Sequence, residues 1–148
     1  MPDALDLTAH AIDAAVNGAL LRGRALALAY VDDDGAPSQS FRGSAQVLDA
    51  TTLAIWSRKQ SGGLVDAIAS RPQVSLLFLE PDGPGPRMLS FRGRARVDRS
   101  ADDTVYAAMI EGERAQDPER GGVAVLIDVD EVRGLGADGP FQMERDAQ

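Results

Sequence analysis

The turns of this chain constrain its fold more than any other feature of the sequence. Residues 32–35 (Asp-Asp-Asp-Gly) and residues 81–86 (Pro-Asp-Gly-Pro-Gly-Pro) each separate two stretches with the composition of β-strands. Tight turns of this kind join neighbouring antiparallel strands, whereas parallel strands need a long crossover that is usually a helix. The turns therefore predict an antiparallel sheet rather than a doubly wound parallel fold.

The strand and helix signals along the chain support the same fold class. Six stretches resemble strands, namely residues 25–31, 38–49, 52–56, 73–80, 87–97 and 122–129. Helical spacing of apolar residues occurs at 7–21, from about 64 to the Arg71-Pro72 pair, and at 101–113. The sequence predicts a mainly β fold, with six strands in a small antiparallel β-barrel.

Length and composition limit the organisation of the chain and its classes of partner. The 148 residues predict a single domain, with an N-terminal helix in 1–23, the barrel in 24–133 and a loosely held polar tail in 134–148. With 15 basic and 23 acidic side chains the net charge is −8, which argues against nucleic-acid binding. No signal peptide or membrane span is evident, so we expect a cytoplasmic protein.

The chain has few side chains that suit a metal or a thiol reaction. It has no cysteine, and His10 is its only histidine. A zinc site draws its ligands mainly from these two residue types, so we expect no metal site. Redox chemistry would then depend on a bound organic cofactor.

Two segments about fifty residues apart repeat a short pattern. Residues 40–47 are Ser-Phe-Arg-Gly-Ser-Ala-Gln-Val, and residues 90–97 are Ser-Phe-Arg-Gly-Arg-Ala-Arg-Val. Strand alternation places the phenylalanine, glycine, alanine and valine of each copy on one face and the polar residues on the other. Arg42 and Arg92 are therefore predicted to point away from the barrel core.

A polar loop between the third strand and the second helix is the best candidate for a binding site. It contains Ser57, Arg58, Ser61, Gly62 and Gly63. Free backbone N–H groups and the positive end of the helix dipole favour an anion at a helix start, and glycine lets a ligand approach closely. These residues suit a phosphate group, although an ordinary capped helix with solvated charges explains them as well.

The order of these parts resembles the pyridoxamine 5′-phosphate oxidase-like family of FMN-binding split β-barrels. The resemblance spans about residues 25–132 and includes the Ser-Phe-Arg-Gly strand, the Trp-Ser-Arg loop at 56–58 and the Pro-Gln-Val-Ser-Leu-Leu-Phe segment at 72–78. It implies a split barrel that forms a homodimer and holds its cofactor at the subunit interface.

Residue by residue, the resemblance implies a set of cofactor contacts. Arg42 matches a strand arginine that binds the flavin phosphate, Ser57 and Arg58 match a cofactor-contacting pair, and Gly62-Gly63-Leu64 match a Ser-Arg-Lys phosphate clamp. Trp56 is either a packing aromatic or a wall beside the isoalloxazine. The implied cofactor-binding set is Arg42, Trp56, Ser57, Arg58, Ser61, Gly62, Gly63 and Met88.

The chain also departs from the family pattern. Leu64 stands where the clamp has lysine, so either Arg58 or Lys59 supplies the missing charge or the pocket prefers a different ligand. Met88 stands about where the oxidases have a glutamine against the flavin ring. The substrate motif near the C-terminus of true pyridoxamine phosphate oxidases is absent, so we do not expect that activity. The resemblance implies an FMN-dependent oxidoreductase acting on a small molecule. A deazaflavin-dependent reductase and a non-catalytic ligand-binding barrel are the alternatives.

Overall fold

The computed structural model describes residues 1–146, and their strands form a single nine-stranded sheet. The strands are β1 (Asp3–Ala4), β2 (Leu26–Val31), β3 (Pro37–Arg42), β4 (Gln46–Asp49), β5 (Thr52–Ser57), β6 (Gln73–Leu79), β7 (Met88–Val97), β8 (Val123–Gly136) and β9 (Gly139–Glu144). The α-helices are α1 (Ile12–Gly18), α2 (Gly63–Ser70), α3 (Asp102–Ala108) and α4 (Glu111–Arg114).

The strands are almost all antiparallel. Seven follow one another in the order β1-β9-β8-β7-β6-β2-β3, while β5 pairs with β8 and β4 pairs with β5. Only the short β1–β9 pair is parallel within the described residues. No ladder joins β3 to β4 in this part of the chain, although they are consecutive, so the barrel is open between them.

The long strand β8 connects the two parts of the sheet. It is 14 residues long, and its first half pairs with β5 while its second half pairs with β9. The neighbouring strand β7 pairs with both halves, with a register shift between Arg92 and Gly93. A Cβ on Gly93 would lie 2.5 Å from the carbonyl oxygen of Asp128, so this close crossing of strands requires glycine.

Two apolar clusters stabilise the fold. The larger cluster fills the barrel with fully buried side chains such as Phe78, Phe91 and Ile127. The smaller cluster lies on the other face of β5 and β8, where α3 covers Trp56 with Val105. Because both faces of β5 are covered, all six of its residues are buried, and the end of this strand is held rigidly where the polar loop begins.

The predicted antiparallel, mainly β class is confirmed, but the strand count differs. The predicted strand at 38–49 is two strands, because Gly43, Ser44 and Ala45 turn the chain from β3 into β4. The short strand β1 and the C-terminal strand β9 were not predicted. The hairpin of β2 and β3 and the helix that ends before Pro72 lie where the sequence places them.

The two longer predicted helices are each interrupted. In the segment 7–21, His10 and Ala11 have left-handed backbone with φ values of 55° and 58°, so α1 begins only at Ile12. In the segment 101–113, the backbone is extended at Met109 and Ile110, which separates α3 from α4. None of the helices in residues 1–146 has the length and hydropathy of a membrane span.

The prediction of a loosely held tail after residue 133 is wrong for the described part of that segment. β8 continues to Gly136 and turns at Gly139, whose φ is 105°, into β9. The ring of Phe141 lies over Gly134, where a Cβ would be 2.2 Å from the ring. This glycine leaves room for the aromatic side chain, and the pair fixes the hairpin. Residues 147–148 of the predicted tail lie outside the described residues.

The repeated pattern does not have the same environment in its two copies. Phe91 is fully buried in the barrel, as predicted, whereas Phe41 is 78% exposed on the edge strand β3. Arg92 is exposed, but Arg42 is partly buried beside a cavity. The predicted equivalence of the two copies is therefore wrong. Phe41 pairs with Ala27 and lies on the outer face of the sheet with the exposed Leu77, whereas Phe91 pairs with the buried Leu76 on the inner face.

Candidate functional site

A cavity of about 730 Å³ lies where β3 and β5 end and α2 begins. Its walls come from the two strand ends, the polar loop 58–62, the start of α2 and one side chain of α4. Polar and charged groups dominate it, and it has the size of a typical small-molecule or cofactor site. The lining residues are Tyr30, Phe41, Arg42, Gly43, Ser44, Trp56, Ser57, Arg58, Lys59, Ser61, Gly62, Gly63, Leu64 and Glu113.

Arg42 is the charged group that the protein leaves unsatisfied at this cavity. Its Nε atom is buried and has no hydrogen-bond partner within residues 1–146, and its guanidinium forms no ion pair there. Burial lowers the pKa of Arg42 below its ordinary value, and the nearby charge of Arg58 adds to this effect. Buried donors almost always have a partner, so this group is placed to bind an anion.

The loop before α2 presents its backbone to the same cavity. Gly62 and Gly63 have left-handed φ values of 76° and 46°, and no side chain caps the helix. A Cβ on Gly62 would meet no atom within 4 Å, and one on Gly63 would approach only the hydroxyl of Tyr30. The first N–H groups of a helix have no partner within the helix. The open space in front of them therefore admits an anion.

Side-chain hydrogen bonds hold this loop in place. The Ser57 hydroxyl donates to the carbonyl oxygen of Lys59 at 2.7 Å. Gln60 lies between two partners, because its amide donates to the carbonyl oxygen of Gly121 at 2.7 Å and its Oε1 accepts from Arg99 at 2.6 Å. The position of the loop thus depends on a segment about sixty residues further along the chain.

The ring of Trp56 belongs to the second apolar cluster. Trp56 is only 5% exposed, its ring meets Tyr106 edge-on at 5.2 Å, and its Nε1 donates to Asp117 at 2.9 Å. Of the two roles considered for Trp56, a packing aromatic and a wall beside the isoalloxazine, this environment corresponds to the packing aromatic. The ring offers little surface on which a planar ligand could stack.

Asp117 organises the loop that follows α4. Besides Trp56, its carboxylate accepts hydrogen bonds from the backbone N–H groups of Gly121 and Gly122. Burial acts to raise the pKa of Asp117, but the hydrogen bonds from Trp56 and the two glycines outweigh it and lower the pKa. A Cβ on Gly122 would lie 2.1 Å from the carbonyl oxygen of Ser57, so the two loops touch at this glycine.

The structure brings seven of the eight predicted site residues to the cavity. They are Arg42, Trp56, Ser57, Arg58, Ser61, Gly62 and Gly63. Met88 does not line it, because it lies at the start of β7, opposite Leu79 and Leu135. Lys59, one of the two residues predicted as a source of the missing clamp charge, also lines the cavity. The sequence does not predict Tyr30 and Glu113, which line it too, or Gln60 and Asp117, which support its loops.

A family profile described as pyridoxamine 5′-phosphate oxidase matches residues 12–136 of this chain. The chain belongs to this family. The matched range contains the whole cavity lining and the loops that support it. A search of the curated proteins finds no match.

Several solved structures have the same fold as this chain. General Stress Protein 26 from Bacillus anthracis str. Sterne has a TM-score of 0.64 and 16% identity, covering 90% of this chain and 98% of that chain. A pyridoxamine 5′-phosphate oxidase-related, FMN-binding protein from Nostoc punctiforme has a TM-score of 0.62 and 19% identity, with coverages of 85% and 81%. An F420 reductase has a TM-score of 0.56 and 18% identity, with coverages of 73% and 87%.

Leu64, the departure from the family's phosphate clamp, has a structural role in this chain. It is 5% exposed and packs in the core of the barrel. The cations at the cavity are instead Arg42, Arg58 and Lys59, two of which are exposed on the loop before the helix. Positive charge is therefore present near the helix start, although the lysine of the clamp is missing.

Proposed function

We propose that this protein binds FMN in the cavity beside the 58–63 loop and is a flavin-dependent oxidoreductase acting on a small organic molecule. The observation that carries the proposal is Arg42, whose buried Nε has no partner in the described residues. A guanidinium without a hydrogen-bond partner, in the same cavity as the start of a helix, suits a phosphate monoester. Such a group supplies several acceptor oxygens and negative charge.

The residues of the cavity fit the phosphate end of a flavin. Arg42 and Arg58 would form charge-assisted hydrogen bonds with it, and the Ser61 hydroxyl would donate to it. Gly62 and Gly63 leave the space that the phosphate needs, since a Cβ on either would lie in open space or against a single hydroxyl. The buried Ser57 would keep the loop in position through its bond to the Lys59 carbonyl.

The catalytic residues of this reaction are not assigned. A bound flavin would itself supply hydride transfer, and the protein would supply binding, orientation and control of access. Trp56 would contribute indirectly, by fixing the end of β5 through its bond to Asp117.

A homodimer is part of the proposal. Leu77 and Leu79 on β6 are 50% and 59% exposed, and they lie on the outer face of a barrel strand that is paired on both sides. Leu135 on β8 is 37% exposed. It pairs with Met88 on β7, which in turn pairs with Leu79, so it lies on the same face of the sheet. A second copy of the chain would cover these side chains, and the cofactor would lie at the interface.

A deazaflavin such as F420 is the second candidate. The observation that favours it is Leu64, which removes the lysine of the phosphate clamp from the cavity and packs in the core instead. The phosphate of F420 is a diester that continues into a longer tail, so it carries less negative charge than the monoester of FMN and depends less on that lysine. One protein of the same fold is an F420 reductase.

The test is a fluorescence titration of the purified protein with FMN and then with F420. Arg42→Ala should weaken FMN binding about 10- to 100-fold, as expected for loss of a charged hydrogen bond. Arg71→Ala, an exposed arginine at the other end of α2, is the control and should not change the affinity.

The possible results separate the candidates. Unchanged FMN affinity in Arg42→Ala would mean that the site is elsewhere. Binding of F420 alone would support the deazaflavin reductase. A folded protein that binds neither would be a ligand-binding split barrel without a flavin.

A further inference from the structure

Glu113 introduces a negative charge into a cavity that otherwise has positive charges. The break between α3 and α4 at Met109 and Ile110 sets the direction of the single turn of α4. The Arg114 guanidinium donates to the carbonyl oxygens of Ala107 and Met109, and so gives hydrogen-bond donors to carbonyl groups at the end of α3. As a result, the side chain of Glu113 reaches the cavity lining.

The carboxylate lies against the connection between β3 and β4. A Cβ on Gly43 would be 2.5 Å from Glu113 Oε1, so the residue after Arg42 must be small for the carboxylate to occupy this place. Glu113 is partly buried. Within residues 1–146 its carboxylate accepts no hydrogen bond, and no basic nitrogen lies within 4.0 Å of it.

The charges of the cavity limit the ligand that satisfies this carboxylate. Arg42, Arg58 and Lys59 give three positive charges against the single negative charge of Glu113. A second anionic group near Glu113 would be repelled by its negative charge. Uncharged donors, such as hydroxyl groups, satisfy the carboxylate without adding charge.

We propose that Glu113 is a specificity-determining residue that accepts hydrogen bonds from hydroxyl groups on the carbon chain next to a bound phosphate. The ligand class is a polyhydroxylated phosphate monoester. This inference rests on the proposed function, because the ribityl phosphate of FMN is a member of this ligand class. It extends that function by assigning Glu113 to the hydroxyl-bearing chain and Arg42 to the phosphate.

The test uses two probes that differ only in their hydroxyl groups, D-ribitol 5-phosphate and n-pentyl phosphate. Isothermal titration calorimetry of the full chain measures the affinity of each. The wild type should bind ribitol 5-phosphate about tenfold more tightly, as expected for a hydrogen bond to a charged acceptor. Glu113→Gln should lose most of this preference while its affinity for pentyl phosphate stays equal or increases.

Glu111→Gln is the matched control, because Glu111 lies on the same helical turn, is exposed and does not line the cavity. It should keep the wild-type preference. Equal affinities in the wild type, binding of neither probe, or an unchanged preference in Glu113→Gln would each overturn the inference. Circular dichroism of both variants establishes that they are folded.

The FMN titration keeps this inference separate from the proposed function. Arg42-dependent FMN binding without a Glu113-dependent preference would overturn only the role of Glu113. A Glu113-dependent preference without FMN binding would overturn only the flavin, and would leave a site for another polyhydroxylated phosphate.

Discussion

Replacing Asp117 with alanine removes the group that joins the loop after α4 to the end of β5. Asp117 accepts hydrogen bonds from Trp56 Nε1, Gly121 N and Gly122 N at 2.9, 2.9 and 2.8 Å. A hydrogen bond to a charged group contributes about 1.5–3 kcal/mol, but water can replace the carboxylate at the exposed Gly121. Counting mainly Trp56 and Gly122, we expect a loss of about 3 kcal/mol in the free energy of unfolding.

For a chain of this length, a loss of that size lowers Tm by about 10 °C. Thermal unfolding followed by far-ultraviolet circular dichroism measures it. Glu119→Ala, an exposed acidic residue in the same loop, is the control and should change Tm by less than about 2 °C. If Asp117→Ala matches this control, the carboxylate does not hold the two loops together.

The pH dependence gives an independent measurement on the same residue. The folded-state pKa of Asp117 is lowered, because the hydrogen bonds to the carboxylate outweigh the effect of burial. Its stabilising contribution is therefore fully present above the unfolded pKa, near 3.8, and is lost as the pH falls through the folded value. The difference in unfolding free energy between the wild type and Asp117→Asn should shrink below this pH. A constant difference would contradict the lowered pKa.

Three further predictions test the packing and the assembly. Gly122→Ala forces a Cβ against a backbone oxygen and should destabilise the protein by about 3 kcal/mol or more in urea unfolding, whereas Gly121→Ala should have little effect. Phe91→Ala should cost about 3–5 kcal/mol, and the exposed Phe41→Ala less than about 0.5 kcal/mol; similar values would refute the different environments of the two copies. Leu77→Asp should convert the dimer into a folded monomer in analytical ultracentrifugation, and a wild-type monomer would contradict the proposed assembly.

Local sequence patterns predict the turns and helix ends that are determined by residues adjacent in the chain. The β2–β3 hairpin follows from its Asp-Gly turn, and the end of α2 follows from Pro72. The β8–β9 hairpin carries the same kind of signal, Asp138-Gly139, but polar residues around it masked the alternation of buried Val132 and Gly134. The breaks at His10 and Met109 lie at residues that are neither glycine nor proline, so no local signal marks them in the sequence.

The site residues that are close together in sequence were predictable, and those from distant segments were not. The cluster of Ser61, Gly62 and Gly63 is contiguous in sequence, so its position before a helix was predictable. Glu113 and Asp117 reach the site from a segment more than fifty residues away, and their neighbours give no sign of it. Met88 was placed in the site by family resemblance, and its position on β7 depends on strand order, which local patterns do not determine.

β8 is synthesised after β5 and β7, the two earlier strands that it joins. In residues 1–146, β5 pairs only with β4 and β8, so the β4–β5 pair cannot join the rest of the sheet before β8 is available. Until residues 123–136 have left the ribosome, the nascent chain exposes the edges of β5 and β7, because β8 is the strand that pairs with both. Chains that terminate before β8 are therefore expected to require chaperone protection or to be degraded.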